Sequence, residues 1–463
     1  MIRVGFWRCQ PNRRPGFARR SATLPHFEEL TWLVGRDTVK VRYFMWKARI
    51  MARWAPLGLL FLIALTPAWG EENWPRFRGP NGDGVAAEAK LPTKIGDQSV
   101  LWKAAVPGVG YGSPTVWGER IFLQASSKTG EQRLFLCYSL KDGKKLWEKA
   151  LPGHVAKTHA KNTLASGTPA TDGERVVFAS WDGSEYWLAA FSMEGKELWK
   201  RKAGAYVSQH GAGHSPILHE GRVYFVNDND EASTVFALEG KSGAVVWQKR
   251  RPVFPASYAT PLMVANGSGS KLIIASTAGI AAYDPKSGTE IWNWEWPHDE
   301  KPLRMVSSPF LAGDLLIAGC GEGGGARHMA AVQLGSAKPK LVWDLKRGIP
   351  YVPGLVPDGE HLYFVTDQGI AGCLEAKSGR TLWSQRLGGN GNVSASPVLA
   401  GGHIYECNEE GELFVFKAAD SFQLVSRFKL DSGVFASPAV AGNRMVLRTR
   451  QSLYCLGEGS KSE

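Results

Sequence analysis

The stretch ALEGKSGAVVW at residues 237–247 decides the fold, because variants of it recur along most of the chain. AYDPKSGTEIW at 282–292 and CLEAKSGRTLW at 373–383 repeat it closely, while KDGKKLW at 141–147 and MEGKELW at 193–199 repeat its second half. Each copy combines a glycine-containing turn with a short apolar strand that ends on Trp. A long repeat made of short strands is typical of a β-propeller.

The Trp that ends this stretch recurs at spacings of 45, 52, 48, 45, 51 and 40 residues. We expect these side chains to dock between neighbouring blades, where one large ring fills the gap between two sheets. The predicted docking residues are Trp102, Trp147, Trp199, Trp247, Trp292, Trp343 and Trp383. An eighth position, in the less regular segment FQLVSRFKL, is assigned to Val425.

A second marker, Ser/Thr-Pro followed by apolar residues, begins each unit. It stands at Ser113, Thr168, Ser215, Thr260, Ser308, Ser396 and Ser437, and a degenerate copy, VPGL, is placed at Val352. Both markers therefore indicate eight units. The sequence predicts an all-β fold, an eight-bladed propeller of four-stranded antiparallel blades over residues 101–456.

The two markers are offset along the chain, since Trp102 precedes Ser113 and no further outer strand follows the last unit. We expect the N-terminal strand LWKAAV, from Leu101, to pair with the last blade. That pairing closes the ring and removes two open sheet edges. Residues 71–100 are then an N-terminal extension, and residues 457–463 a flexible tail.

The formal net charge of +12 is concentrated near the N-terminus. Residues 1–50 carry eleven Lys and Arg against three acidic residues, and Arg53 adds one more, so the chain from residue 71 carries only about +3. This balance does not indicate a nucleic-acid partner. Residues 1–50 are a basic leader or a mis-assigned start.

Met51 opens a segment typical of a secretory signal peptide, with the apolar run LGLLFLIAL at 57–65. We predict cleavage after Gly70, giving a periplasmic or secreted protein with no transmembrane segment; the alternative is a membrane anchor, although the run is short for a span. No Cys stands at the cleavage point, so a lipid anchor is not expected. The remaining cysteines, Cys137, Cys320, Cys373, Cys407 and Cys455, are interpreted as core residues.

The repeated phrases at 237–247, 282–292 and 373–383 resemble the tryptophan-docking repeat of the pyrroloquinoline-quinone (PQQ) propeller superfamily. That superfamily includes quinoprotein alcohol and glucose dehydrogenases and the non-catalytic propeller lipoprotein of the outer-membrane barrel-assembly machinery. The leader WPRFRGPNGDG at 74–84 is similar to that of secreted bacterial PQQ-like repeat proteins. The resemblance implies either a binding scaffold or a PQQ- and calcium-dependent dehydrogenase.

The chain lacks the adjacent cysteine pair that often covers the quinone in those dehydrogenases, and it has no C-x-x-C-H motif for haem. We therefore favour a non-catalytic, monomeric scaffold that binds an envelope protein or glycan. No catalytic residue, metal ligand or cofactor is assigned, and PQQ with calcium stays an alternative. A carbohydrate-binding propeller is the third hypothesis, with Trp294 and Trp296 of WNWEWP (292–297) as a platform or as the cover of a blade edge.

The loops before each Ser/Thr-Pro are expected to surround one mouth of the central channel. The binding candidates on them are His159, Lys161, Asn162, Gln209, His210, His214, Tyr258, Arg304, Tyr351 and Asn392. A solvated, hydrogen-bonded rim is the alternative to a binding pocket. The acidic run NDNDE at 227–231 offers oxygen ligands to calcium, but it lacks EF-hand spacing and is interpreted as a hairpin turn.

Overall fold

The structure, a computed structural model, describes residues 31–34, 37–40, 73–266, 269–297, 303–323, 325–335 and 338–459. The chain divides into two compact units, Met1–Thr66 and Pro67–Glu463. In the first unit, Thr31–Val34 pairs antiparallel with Asp37–Lys40. The predicted signal peptide at 51–70 lies outside the described residues. Within the described part, no helix is both long enough and apolar enough to cross a membrane.

The second unit is a ring of eight antiparallel sheets, and the predicted eight-bladed propeller is confirmed. Blade 1 comprises Thr115–Trp117, Arg120–Ser126, Gln132–Ser139 and Lys145–Pro152, from the axis outwards. Blade 2 comprises Ala170–Thr171, Arg175–Trp181, Glu185–Ser192 and Glu197–Ala205. Blade 3 comprises Ile217–His219, Arg222–Asn227, Thr234–Glu239 and Val245–Arg250. Blade 4 comprises Leu262–Asn266, Gly269–Ser276, Gly279–Tyr283 and Glu290–Trp294.

Blades 5 to 8 continue the same order around the axis. Blade 5 comprises Phe310–Ala312, Leu315–Gly321, Arg327–Gln333 and Lys340–Leu345. Blade 6 comprises Val356–Asp358, His361–Val365, Ile370–Glu375 and Thr381–Arg386. Blade 7 comprises Val398–Ala400, His403–Cys407, Glu412–Lys417 and Leu424–Lys429. Blade 8 comprises Ala439–Ala441, Arg444–Arg448, Ser452–Leu456 and, from the other end of the chain, Val100–Ala105.

Segments before the first blade also join the ring. Val100–Ala105 pairs antiparallel with Ser452–Leu456, so blade 8 is built from both ends of the propeller. A 3-10 helix at Asp97–Ser99 precedes it, and Val85–Ala86 pairs parallel with the inner strand of blade 7. The middle strands are buried on both faces, whereas outer strands such as Val245–Arg250 expose charged residues that discourage edge-to-edge association.

Among the described residues, five joints between neighbouring blades pair a Trp of one blade with a turn glycine of the next. The indole of Trp247 donates a hydrogen bond to the carbonyl oxygen of Pro285 in the next blade, at 3.0 Å. Its ring lies against Gly288, where a Cβ atom would be 2.5 Å from the indole and where φ is +68°. The same contact joins Trp102 to Gly143, Trp147 to Gly195, Trp199 to Gly243 and Trp343 to Gly379. The glycine turn and the Trp therefore recur together because each needs the other.

The structure corrects the two degenerate repeat positions. The amide of Gly354, and not that of Val352, donates to the Ser396 hydroxyl, so Gly354 stands at the Ser/Thr position of blade 6. In blade 7, Ser426 pairs with Val415 as Trp383 pairs with Cys373 in blade 6, so Ser426 holds the Trp position assigned to Val425. Gly354 lacks the hydroxyl that marks the start of a unit, and Ser426 lacks the indole that marks its end. At both positions the register is set by the strand pairing instead.

Candidate functional site

The Ser/Thr-Pro markers surround the channel axis, and hydrogen bonds join most neighbouring members. The amide of Ser437 donates to the hydroxyl of Ser113 at 2.9 Å, which links the last blade to the first. The same bond runs from Ser113 to Thr168, Thr168 to Ser215, Thr260 to Ser308, and Ser396 to Ser437. The Pro that follows has no amide proton, so the Ser/Thr amide is the donor available at that point. We call these residues, with Gly354, the hydroxyl ring.

From here on, the leader means residues 73–95 of the N-terminal extension and not the basic residues 1–50. It crosses the end of the channel opposite the mouth loops. Trp74 exchanges two backbone hydrogen bonds with Val116 of blade 1, and Pro75 accepts one from Thr171 of blade 2. The Arg76 guanidinium donates to the carbonyl oxygen of Pro261 in blade 4, at 3.2 Å. These contacts carry the next residue, Phe77, to the axis of the ring.

Between Phe77 and the mouth lies a cavity of about 270 Å³, which we call the axial well. All eight blades contribute to its wall, and the seven Ser and Thr residues of the hydroxyl ring line it. The predicted candidates that line it are His159, Lys161, Asn162, His210, Tyr258, Arg304 and Tyr351. Tyr111 and Phe435 also line it and stack on each other, with ring centroids 4.1 Å apart and planes 6° apart. Phe77 escaped prediction because it belongs to the leader, outside the repeat.

Three predicted candidates lie outside the well. Gln209 and Asn392 are exposed on the mouth loops. His214 is 2% exposed and packs between blades, where its Nδ1 atom lies 3.0 Å from the Tyr186 hydroxyl. Burial lowers the pKa of His214 to about 4, so its imidazole is neutral at pH 7. Its neighbour Ser215 faces the axis, and the intervening change of direction puts the His214 ring into the core.

The cations at the mouth are paired with carboxylates just outside the lining. Lys161 lies 2.6 Å from Glu409 of blade 7, which also accepts a hydrogen bond from Ser394. Arg304 lies 3.6 Å from Asp230. The loop 153–169 therefore reaches across the mouth from blade 2 to blade 7. Desolvation, with the Arg304 charge nearby, lowers the pKa of His210, whose ring lies 5.3 Å from that of His159.

The sequence matches the family of the outer membrane protein assembly factor BamB over residues 93–184, 131–385 and 367–458. These matches cover almost the whole propeller. The chain belongs to the BamB family. Among its relatives, BamB of Bordetella pertussis is 25% identical over 359 residues, which span 75% of this chain and 83% of that protein.

Solved structures support the same fold for this BamB-family chain. BamB from Moraxella catarrhalis superimposes with a TM-score of 0.57 at 16% identity, covering 77% of this chain and 99% of that one. The quinohemoprotein alcohol dehydrogenase of Comamonas testosteroni gives a TM-score of 0.64 at 12% identity, covering 85% and 81%. At such identities the likeness establishes the propeller and leaves the chemistry to the site.

The donor set of the axial well does not fit calcium. Its described lining residues include no Asp or Glu, and calcium prefers carboxylate and other oxygen ligands. No cluster of three or more His, Cys, Asp or Glu suited to a metal occurs in the part of the chain that the structure describes. In the acidic run, Asp228 is buried 3.3 Å from Arg251, within the connection between two strands of blade 3. The resemblance to calcium-dependent quinoproteins therefore does not extend to these side chains.

Two further sequence hypotheses concern aromatic and thiol side chains. Trp296 is 7% exposed and donates to the Ser276 carbonyl oxygen at 2.8 Å, while Trp294 packs edge-on against it at 5.2 Å. The burial of Trp296 in the space beside blade 5 favours the alternative in which these rings cover a blade edge, while Trp294 stays partly exposed. The five cysteines of the described chain are buried free thiols, and burial raises the pKa of Cys137 to about 12.

Proposed function

We propose that this chain is a non-catalytic propeller that binds a protein partner during assembly of the bacterial envelope, in the periplasm. The observation that carries the proposal is the match of residues 93–458 to the BamB family. The lack of a carboxylate among the described residues of the axial-well lining agrees with a binding role.

The mouth face offers a defined docking surface. Phe254 is 66% exposed and Val207 is 43% exposed, on neighbouring loops of that face. Asp230 ties the loops together, since its amide donates to the Val207 carbonyl oxygen at 2.9 Å and its carboxylate accepts from the Ala256 amide at 2.7 Å. Exposed apolar side chains rimmed by polar groups are found at protein-binding sites.

Capture from envelope extracts tests this surface. The chain from Glu71 onwards, which is the form that the predicted cleavage after Gly70 would give and is called the mature chain below, is immobilised. It is compared with a Val207→Ser/Phe254→Ser variant and with Leu146→Ser. Leu146 is 50% exposed but lies on the outer strand of blade 1, so it is the matched control. We expect one envelope protein to be retained by the wild type and the control and lost by the double variant. Equal retention by all three chains would rule out this surface.

The axial well supports a second proposal, a site for a small ligand. Its volume of about 270 Å³, the Tyr111–Phe435 stack and the hydroxyl ring suit a compact ring compound with polar edges. Titration calorimetry with PQQ, with and without calcium, and with a panel of monosaccharides tests it. Binding abolished by Tyr111→Ala would support the site. PQQ binding that depends on calcium would contradict our conclusion that the side chains of the axial well do not fit a calcium ion.

A further inference from the structure

The leader docks at both places where the repeat is degenerate. In blade 6, the Arg78 guanidinium occupies the space above Gly354, where a Cβ atom would lie 2.6 Å from Nη1. It donates to the carbonyl oxygens of Leu355 and Asp83, which lie on the blade and on the leader. A Ser at the Gly354 position would collide with it. In blade 6, the Arg78 side chain of the leader therefore fills the space that a Ser or Thr side chain would otherwise take.

The missing Trp of blade 7 is replaced in the same way. The Ser426 hydroxyl donates to the carbonyl oxygen of Thr93 at 2.7 Å and accepts from the Ile95 amide at 3.3 Å. Leu91 and Ile95 are buried in the same hydrophobic cluster as Val440 of blade 8. Two aliphatic side chains of the leader thus take the place of an indole at this joint.

The leader contact at blade 6 buries polar atoms that lack hydrogen bonds, whereas the contact at blade 7 is made by aliphatic side chains. Arg78 has φ of +62°, a conformation that costs energy for a residue with a side chain. Its Nη1 atom and the Oε2 atom of Glu406 are buried without a hydrogen-bond partner among the described residues. The two opposite charges attract each other, but each of these atoms lacks the hydrogen bond that water would supply once the segment has left. The side chains of Leu91 and Ile95 are aliphatic and carry no polar group that would need a partner.

We infer that residues 73–86 form a releasable plug that closes the base of the channel. Docked, the plug makes the channel a one-ended well with Phe77 as its floor. Released, it opens the channel at both ends, while residues 91–95 and all eight blades stay in place. The segment most able to leave is the one that combines strain with unpaired buried groups.

Hydrogen exchange measured by mass spectrometry on the mature wild-type chain tests this inference. We expect amides of 74–86 to exchange through local opening, at least about tenfold faster than those of 91–95 and of the blade 4 strand Gly269–Ser276. Trypsin should cut after Arg76 or Arg78 under the same conditions and leave the propeller intact. Exchange of 74–86 only together with the blades, with both arginines resistant, would overturn the inference.

Variants separate release of the plug from loss of the fold. Gly354→Ser should raise exchange at 74–86 about tenfold or more and leave 91–95 unchanged. Gly325→Ser is the matched control, because a Cβ atom there meets no described atom within 4 Å. Arg78→Ala removes the same contact from the leader side and covers the case in which Gly354→Ser does not fold. An equal loss of protection across the blades in Arg78→Ala would make the leader a permanent part of the ring.

Discussion

Arg78 of the leader and Gly354 of blade 6 occupy complementary space: a Cβ atom on Gly354 would lie 2.6 Å from the Arg78 guanidinium. The hydrogen bond from the Gly354 amide to the Ser396 hydroxyl marks residue 354 as the exception, because Ser or Thr stands at this place in the other blades. The leader explains the defect. Where the repeat departs from its pattern, a side chain from outside the repeat takes up the space, and the same holds for Ser426 and the leader residues Leu91 and Ile95.

This explanation predicts the outcome of repairing the repeat. Ser426→Trp restores the consensus residue of the joint, yet we expect it to destabilise the fold by about 1–3 kcal/mol, because the indole must displace Leu91 and Ile95. Ser426→Ala, which loses two hydrogen bonds without overpacking, should cost about 1 kcal/mol. Urea unfolding of both variants provides the measurement. A stabilised Ser426→Trp protein would show that the leader does not fill the Trp space.

The joint between Trp247 and Gly288 predicts strong coupling of two distant repeat positions. Trp247→Ala should cost about 3–5 kcal/mol, as large-to-small core substitutions do. Gly288→Ala should also destabilise, because its Cβ would meet the indole at 2.5 Å and its φ is +68°. In the double variant the new methyl group meets a cavity instead of a ring. The double variant should therefore lose less stability than the sum of the losses in the two single variants.

A matched glycine separates backbone strain from the steric clash. Gly313 has a similar φ of +62°, but a Cβ atom placed there would have no described atom within 4 Å, so Gly313→Ala reports the strain alone. Gly288→Ala should cost more than Gly313→Ala in the wild-type background and about the same in the Trp247→Ala background. Strict additivity of Trp247→Ala and Gly288→Ala would contradict the reciprocal joint.

The repeat predicted the blade number because Trp and Gly mark the register of each joint in the sequence itself. It could not locate Gly354 or Ser426, since these positions lack the marking atoms and their neighbours come from a segment far away in sequence. The same limit applies to the site. Adjacent residues such as His214 and Ser215 point in different directions, and only the folded chain shows which of them faces the axis.

The ion pair between Lys161 and Glu409 predicts that losing it changes the motion of the mouth loop more than the free energy of unfolding. Lys161→Met should change the free energy of unfolding by less than about 1 kcal/mol, because the lysine side chain is partly exposed. It should, however, speed hydrogen exchange in the loop 153–169, which this ion pair fastens to blade 7. Lys157→Met, on the same loop and exposed, is the control. Unchanged loop exchange in Lys161→Met would mean that the ion pair does not hold the loop.

The buried imidazole of His214 predicts a loss of stability in acid. Its pKa is about 4 in the folded chain against 6.5 for the exposed group, so the unfolded chain binds the proton more tightly between these values. Stability from this group is present above pH 6.5, declines as the pH falls and is lost by pH 4, at a cost of up to about 3 kcal/mol. Tyr186, Tyr206 and Tyr258 surround the ring and stay neutral throughout this range.

Comparison with His214→Gln isolates this contribution. Asp228 and Arg251 lie near the ring, and burial raises the pKa of Asp228 to about 6, which acts in the opposite direction over the same range. Because that pair is present in both proteins, the difference between their stability curves reports His214. We expect the wild type to lose stability more steeply than His214→Gln between pH 6.5 and 4, measured by urea unfolding at each pH. Parallel curves would mean that the imidazole reaches water or a proton-accepting partner in the folded chain, contrary to its position between blades 2 and 3.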